Sequence, residues 1–462
     1  MTTSVPFLLV AAGAAFLLGF AADVLARKFG FPDVLWLVLL GILFGPLLKV
    51  ISFNEVLAFA PYLGIAALSL ILYDAGLDMH SQLLGDISWN AVLLATTAVL
   101  ASTAVILPVA YYFISGRDLI HSILFSAALA PSSSAVVVAV SSRMSLHRSL
   151  RSLVHLTSAI EDTIAIIIVT TLLYFLLPGG GIFGSGTPYI YAASSLPIGI
   201  VGGALAGLLW VELAARYQSY PYFPMATVGY LFFIVGLVEY LNGAGILSAL
   251  VMGVVIGNGA SIRRWMGQSG YFIVSQRVRQ FGSEVAFLLR AFFLFSIGLL
   301  LTVNTAFATI FLGGLLVTGA VLGVRVAIVY LYVESTEGSS SSILPLTALS
   351  ARGLTSAVLL LLPISAGIIA GAEEQRLIEA AIGIIIASTI AMSVGVWYFE
   401  RKAAEERQRA RRRAIAAASL KSQVEAHFGA PFVNPSPMVP NGSPPLPAPE
   451  ETGHPPLPRR KP

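Results

Sequence analysis

"HLTSAIEDTIAIIIVTTLL" runs from His155 to Leu173, and how it is read decides the fold. The stretch is long and apolar enough to cross a bilayer, yet Glu161 and Asp162 stand side by side in its middle. A charged side chain at the centre of a bilayer helix costs about 2.5–3.5 kcal/mol on insertion scales. Intramembrane carboxylates face a bundle interior and mark ion or substrate paths. The stretch therefore predicts one helix of a polytopic bundle, with the acidic pair turned inward.

Composition agrees. Of 462 residues, 57% are hydrophobic and 11% charged, against about 25% charged in soluble domains. The chain reads as an all-α integral membrane protein. It has no cysteine, which removes disulfides, thiolate nucleophiles and thiolate metal sites together. The six histidines form no HExxH pattern, and no glycine-rich stretch reads as a phosphate loop. Neither enzyme chemistry nor a cofactor is expected. The net charge of +4 does not mark a nucleic-acid surface, because the basic residues lie between and after the apolar spans. The first span, Val5 to Ala26, lacks a positive leading region and exceeds a signal-peptide core, so it reads as a retained helix.

Runs of roughly 20 apolar residues give thirteen spans, at 5–26, 34–52, 56–77, 89–114, 119–141, 152–177, 194–214, 223–241, 244–258, 283–301, 306–333, 342–368 and 376–398. Alternate loops carry the positive charge: Arg27 and Lys28, then Arg143, Arg148 and Arg151, then Arg216, then Arg263, Arg264, Arg277 and Arg279, and finally the tail. The opposite loops hold only Lys49, Arg117 and Arg376. Lys and Arg favour the cytoplasmic side, so the N-terminus is expected outside and the C-terminus inside a cell (inner) membrane. Residues 1–400 form the expected transmembrane domain, and 401–430 a charged cytoplasmic helix suited to anionic lipid. Residues 431–462 are proline-rich and read as a disordered tail.

One internal offset recurs. Gly76-Leu77 in the third span and Gly298-Leu299 in the tenth stand 222 apart, as do Ser134-Ala135-Val136 in the fifth and Ser356-Ala357-Val358 in the twelfth. The copies lie an odd number of spans apart, so the second is inverted. The fifth and twelfth spans are also the least helix-like: "LAPSSSAVV" puts Pro131 and three serines at mid-membrane, and "LSARGLTSAV" puts Arg352 and Gly353 at the matching place. Irregular backbone survives in a membrane only where protein buries it or it lines a cavity. Broken helices in matching repeat positions point to a central ion or substrate site.

Other intramembrane charges have plainer readings. Glu212, Glu284 and Arg290 lie near span ends and read as snorkelling to the interface, and Glu239 precedes a turn at Asn242-Gly243. Arg325 and Arg352 sit deeper and do not readily lose their protons, so each must find a carboxylate, a carbonyl dipole or water. Asp74 is the expected partner of Arg352, and Glu161 or Asp162 can face Arg325. Adjacent carboxylates point about 100° apart on a helix, so one arginine does not serve both and one remains for a mobile ion. Proton and cation then compete for one charge. Carboxylate, hydroxyl and carbonyl oxygens suit alkali cations.

"LILYDAGLDMH", "LNGAGILSALVMGVVIGN", "FGSEVAFLLRAFFLFSIGLLL" and "SARGLTSAVLLLLP" occur in that order, and the chain from about Val5 to Tyr398 resembles the monovalent cation:proton antiporter superfamily in its prokaryotic sodium/proton exchanger-like branch. The resemblance implies a homodimer, each protomer with a dimerisation domain and a six-helix core, crossed broken fifth and twelfth helices, and elevator-like transport. It implies that Asp162 is the ion-binding aspartate and would hold the alkali cation, with Ser158 as a ligand. Thr157 stands where many members carry glutamate, and Pro131, Ser132 and Ser133 stand where many carry Thr-Asp-Pro. Thr157, Ser132 and Ser133 complete the expected binding set. Glu161 departs from the asparagine or aspartate usual before the ion-binding residue, Asp74 replaces a glutamate that pairs with the arginine matched by Arg352, and Arg325 matches a position often arginine in electroneutral members. The expected activity is exchange of Na⁺, with K⁺ or Li⁺ as alternatives, for H⁺, and it is electroneutral if Arg325 holds Glu161 ionised. A sodium-coupled organic-anion symporter of related fold needs a larger polar cavity and no titrating carboxylate pair. A channel-like or sensor protein is the other alternative, and a sensor would need a soluble output domain.

Overall fold

The computed structural model describes residues 5–48, 53–79, 88–176, 188–267, 274–301, 307–335 and 343–428. The expected tail at 431–462 lies outside the described residues. Among them there is no strand. The helices in chain order are α1 Val5–Phe29, α2 Asp33–Ile42 with a π-turn over Leu43–Leu47, α3 Phe53–Asp78, α4 Ser88–Val109 with a π-turn over Ala110–Ile114, α5 Leu119–Leu129, α6 Ser134–Ser141, α7 Arg148–Leu176 and α8 Pro188–Tyr217. They continue as α9 Phe223–Tyr240, α10 Gly245–Gly257, α11 Gly259–Trp265, α12 Gln276–Leu299, α13 Phe307–Ser335, α14 Ile343–Ala348, α15 Leu354–Ser365 and α16 Ala372–Phe428. The first of two compact units ends at Ala403.

Among the described residues, nine spans are long and apolar enough to cross a membrane, and a tenth if α10 and α11, bent by 65°, count as one. The thirteen of the sequence reading also require α1 and two shorter apolar stretches, Asp33–Leu47 and Leu354–Ser365. The fifth and twelfth spans are broken, as expected. Pro131 lacks the N–H that would continue α5, and the chain runs non-helically to Ser133 before α6 begins. In the twelfth span the gap between α14 and α15 holds Leu349, Ser350, Ala351, Arg352 and Gly353. The two gaps touch: the N–H of Ser133 donates to the carbonyl of Ala351 at 2.9 Å. A Cβ on Gly353 would stand 3.0 Å from Ser133 Oγ, so glycine admits this approach.

The repeat is visible in how glycines seat the helices. Gly76 of α3 lies against the backbone of α10 at Leu250 and Gly253, and Gly298 of α12 lies against that of α2 at Val38 and Gly41. Residues standing 222 apart thus make the same kind of seam with different partners. Without a hydrophobic driving force between helices in lipid, small residues that let backbones approach supply the packing. Phe125, Phe293, Leu124, Leu129, Val136 and Leu354, all fully buried, fill the interior around the breaks. This interior fixes the unwound backbone from several sides.

Candidate functional site

Glu161 and Asp162 sit in α7 with no exposed surface, where the helix passes the break between α5 and α6. Consecutive side chains diverge by about 100°, and here they meet different surroundings. Glu161 is saturated. Its Oε2 accepts from the N–H of Ser132 at 2.8 Å and from the Ser132 hydroxyl at 2.6 Å. Arg325 of α13 places Nη1 at 2.9 Å from Oε1 and 3.2 Å from Oε2. The same guanidinium donates from Nε to the carbonyl of Leu346 in α14 at 3.3 Å. Glu161 and Arg325 thereby tie α7, α13 and both broken spans together. A buried pair is held when hydrogen bonds satisfy its remaining positions, and Ser132 supplies them.

Asp162 differs. Its Oδ2 accepts the N–H of Ser134 at 3.0 Å, and Oδ1 has no hydrogen-bond partner. Ser134 opens α6, so its N–H is one of the first-turn donors with no partner inside the helix, and the helix N-terminus favours the negative charge. The side chains of Ser134 and Thr355 also border the carboxylate. The hydroxyls of Ser133, Ser134, Thr157 and Ser356 are buried and likewise unpartnered. Buried polar groups are normally satisfied, and each exception calls for an explanation. A small cation beside Asp162 would be coordinated by oxygen alone, which is the donor set of alkali ions. Among the described residues, no group of three or more His, Asp or Glu gathers as a transition-metal site would require.

Of the expected binding residues, Asp162, Ser133 and Thr157 carry unpartnered oxygens. Ser158, one turn before Asp162, donates its hydroxyl to the carbonyl of His155 at 3.0 Å. Ser132 is engaged by Glu161 instead. Reading the sequence did not name Ser134 or Thr355, whose side chains border Asp162, although Ser134 belongs to the triplet that sets the repeat offset.

Arg352 corrects the sequence reading. It is 1% exposed, but its guanidinium donates to three carbonyls and not to Asp74: Leu129 at 3.1 Å, Ala130 at 3.2 Å and Ser350 at 2.7 Å. The break at Pro131 explains the exchange of partner. A helix leaves its last carbonyls without intrahelical donors and bears partial negative charge there, so the end of α5 presents a ready seat for a cation. Arg290 is a second correction. It does not snorkel as an isolated charge: its Nη2 lies 2.5 Å from Asp33 Oδ2, with both side chains largely covered. Glu212 bridges Arg216 and Arg263, each at 2.9 Å, and Glu239 accepts the N–H of Gly245 at the start of α10 at 3.0 Å.

Residues 12–399 match the family model described as sodium/hydrogen exchanger, transmembrane. A curated relative, the K(+)/H(+) antiporter NhaP of Alkalimonas amylolytica, is 26% identical over 255 residues, covering 53% of this chain and 43% of that protein. The alignment thus spans less than half the relative's length. Structures of the sodium proton antiporter MjNhaP1 from Methanocaldococcus jannaschii share the fold. The one at pH 8 gives a TM-score of 0.69 at 20% identity over 86% of this chain and 99% of that one, and the one from electron microscopy 0.68 at the same identity. With the family model spanning most of the chain, and a polytopic fold whose broken helices meet beside buried carboxylates, the protein belongs to the transmembrane sodium/hydrogen exchanger family.

Proposed function

We propose that this chain is a secondary antiporter exchanging a monovalent alkali cation for H⁺, with Asp162 as the single carrier of either ion. The observation that carries the reading is the half-satisfied carboxylate: a fully buried Asp162 with one oxygen unpartnered, bordered by the Ser134 hydroxyl, which also lacks a partner. A desolvated cation would recover oxygen ligands there, and a proton would neutralise the same charge. The two compete for one place, which is the requirement for coupled exchange.

Glu161 does not compete. The permanent charge of Arg325 lies 2.9 Å from it and Ser132 donates to the same carboxylate, so its places are taken and it is assigned no proton to move. Exchange is then one-for-one and electroneutral. The family model and the MjNhaP1 fold support Na⁺ as the cation. The relative described as a K(+)/H(+) antiporter supports K⁺ as the second reading. The broken helices would travel with the bound ion in an elevator-like movement of the core, within a homodimer in the cell membrane. The charge bias of the loops supports a C-terminus on the cytoplasmic side.

Proteoliposomes containing the purified protein test this. Outward gradients of Na⁺, K⁺ and Li⁺ are applied in turn and internal pH is followed. Wild type should move protons with at least one of them, and Asp162→Asn with none. Cation-driven proton flux through Asp162→Asn at the wild-type rate would end the assignment.

A further inference from the structure

α6 and α7 form a tight antiparallel hairpin, and its two ends meet in register. Ser134, first in α6, donates its N–H to Asp162 at 3.0 Å. Ser141, last in α6, has its hydroxyl 2.6 Å from Nε2 of His155. Seven residues separate the two contacts on each helix. A seven-residue step advances about 10 Å and returns to within about 20° of the same face, so both contacts lie along one seam. Ser141 is fully buried. Between them, Ser158 turns its hydroxyl back to the His155 carbonyl at 3.0 Å.

We infer that Ser141 and His155 form a positioning clamp that sets the register of α6 against α7, and so aims Ser134 and its neighbouring hydroxyls at the Asp162 carboxylate. α6 has only eight residues and follows a non-helical gap, so its own hydrogen bonds do not fix its height along α7. The bonds at its N-terminal end, Ser134 to Asp162 and Ser132 to Glu161 just before it, leave the far end free to tilt. A second bond about two turns away removes that freedom. The clamp touches neither cation nor proton. Without it, the hydroxyls of Ser133 and Ser134 lose their fixed distance from Asp162, and the cation loses ligands while the carboxylate that alternates between ions remains. The inference rests on Asp162 being the carrier.

The test compares Ser141→Ala with Ser141→Thr, and His155→Leu with His155→Gln, in the full chain in proteoliposomes, measuring exchange rate against cation concentration. The alanine and leucine variants should raise the cation KM by roughly tenfold or more, the scale of a small misplacement of site groups, with kcat close to wild type. Threonine keeps the hydroxyl and glutamine offers an amide near the Nε2 position, so both should restore KM. An unchanged KM in Ser141→Ala overturns the clamp, as does a fall in kcat that tracks a lowered melting midpoint. If His155→Leu does not fold, Ser141→Ala, which removes one oxygen, decides alone. Asp162→Asn run alongside separates the two readings. Exchange by that variant overturns the carrier, whereas a silent Asp162→Asn beside a wild-type Ser141→Ala overturns only the clamp.

Discussion

Glu161 and Asp162 are neighbours in sequence and equally buried, but they occupy opposite kinds of site. Around Glu161 every oxygen is engaged, by Arg325 and by both donors of Ser132. Around Asp162 one oxygen and the bordering Ser134 hydroxyl have no partner. A saturated pocket holds helices in place, and an unsaturated one waits for a ligand. In the function proposed above, the same α7 carries a structural carboxylate and an exchangeable one, separated by a single step of the helix.

The largest expected difference between the two pockets is functional. Asp162→Asn should lose exchange entirely while melting near wild type, because the amide oxygen still accepts the Ser134 N–H and no charge is stranded. A large drop in its melting midpoint would make Asp162 structural as well. Glu161→Gln should do the reverse. Removing one partner of a buried pair costs about 3–5 kcal/mol, because Arg325 is left without a carboxylate, and thermal unfolding in detergent reads this directly. Residual exchange by that variant should keep the wild-type stoichiometry. Adding Arg325→Gln should recover part of the loss, and additive losses would deny the pair.

Smaller effects sharpen the contrast. Arg352→Gln removes charged donors from the end of α5 and should destabilise strongly, whereas its effect and that of Asp74→Asn should add within about 0.5 kcal/mol. A larger coupling would restore the ion pair expected from sequence. Gly298→Ala drives a methyl group into the backbone of α2 and should cost about 1–3 kcal/mol by overpacking, with no change in ion affinity. Ser356→Ala should barely alter stability, since its hydroxyl has no hydrogen bond to lose. It should raise the cation KM a few-fold if that oxygen is a ligand, and unchanged affinity would remove Ser356 from the site.

Much of this was legible in the chain. Apolar runs located the helices, because lipid forces backbone polar groups to be satisfied within each segment. Pro131 and Gly353 marked the breaks, and the geometry of adjacent helical residues separated Glu161 from Asp162. Arg325 found the partner expected of it because a buried guanidinium has few charged alternatives. Arg352 misled for the same reason. A carbonyl dipole was one of the partners open to it, but carbonyls freed by a helix break leave no trace in side-chain chemistry, and the carboxylate Asp74 was preferred. Ser134 and Thr355 were obscured because hydroxyls are common in membrane helices, where most bond back to their own turn. Only the crossing of the two gaps singles these out.

The most direct measurement concerns the part Glu161 plays in transport. Proteoliposomes are prepared with opposing cation and proton gradients, and the ratio at which net proton flux stops is located. A membrane potential is then imposed with a permeant lipophilic anion, so that no cation ionophore competes with the transported ion. One-for-one exchange through Asp162 predicts a null point where the cation and proton concentration ratios are equal, unmoved by the potential and unmoved in Glu161→Gln. A null point where the cation ratio equals the square of the proton ratio, shifting with potential and lost in Glu161→Gln, would make Glu161 a second proton carrier and contradict the division between the two pockets.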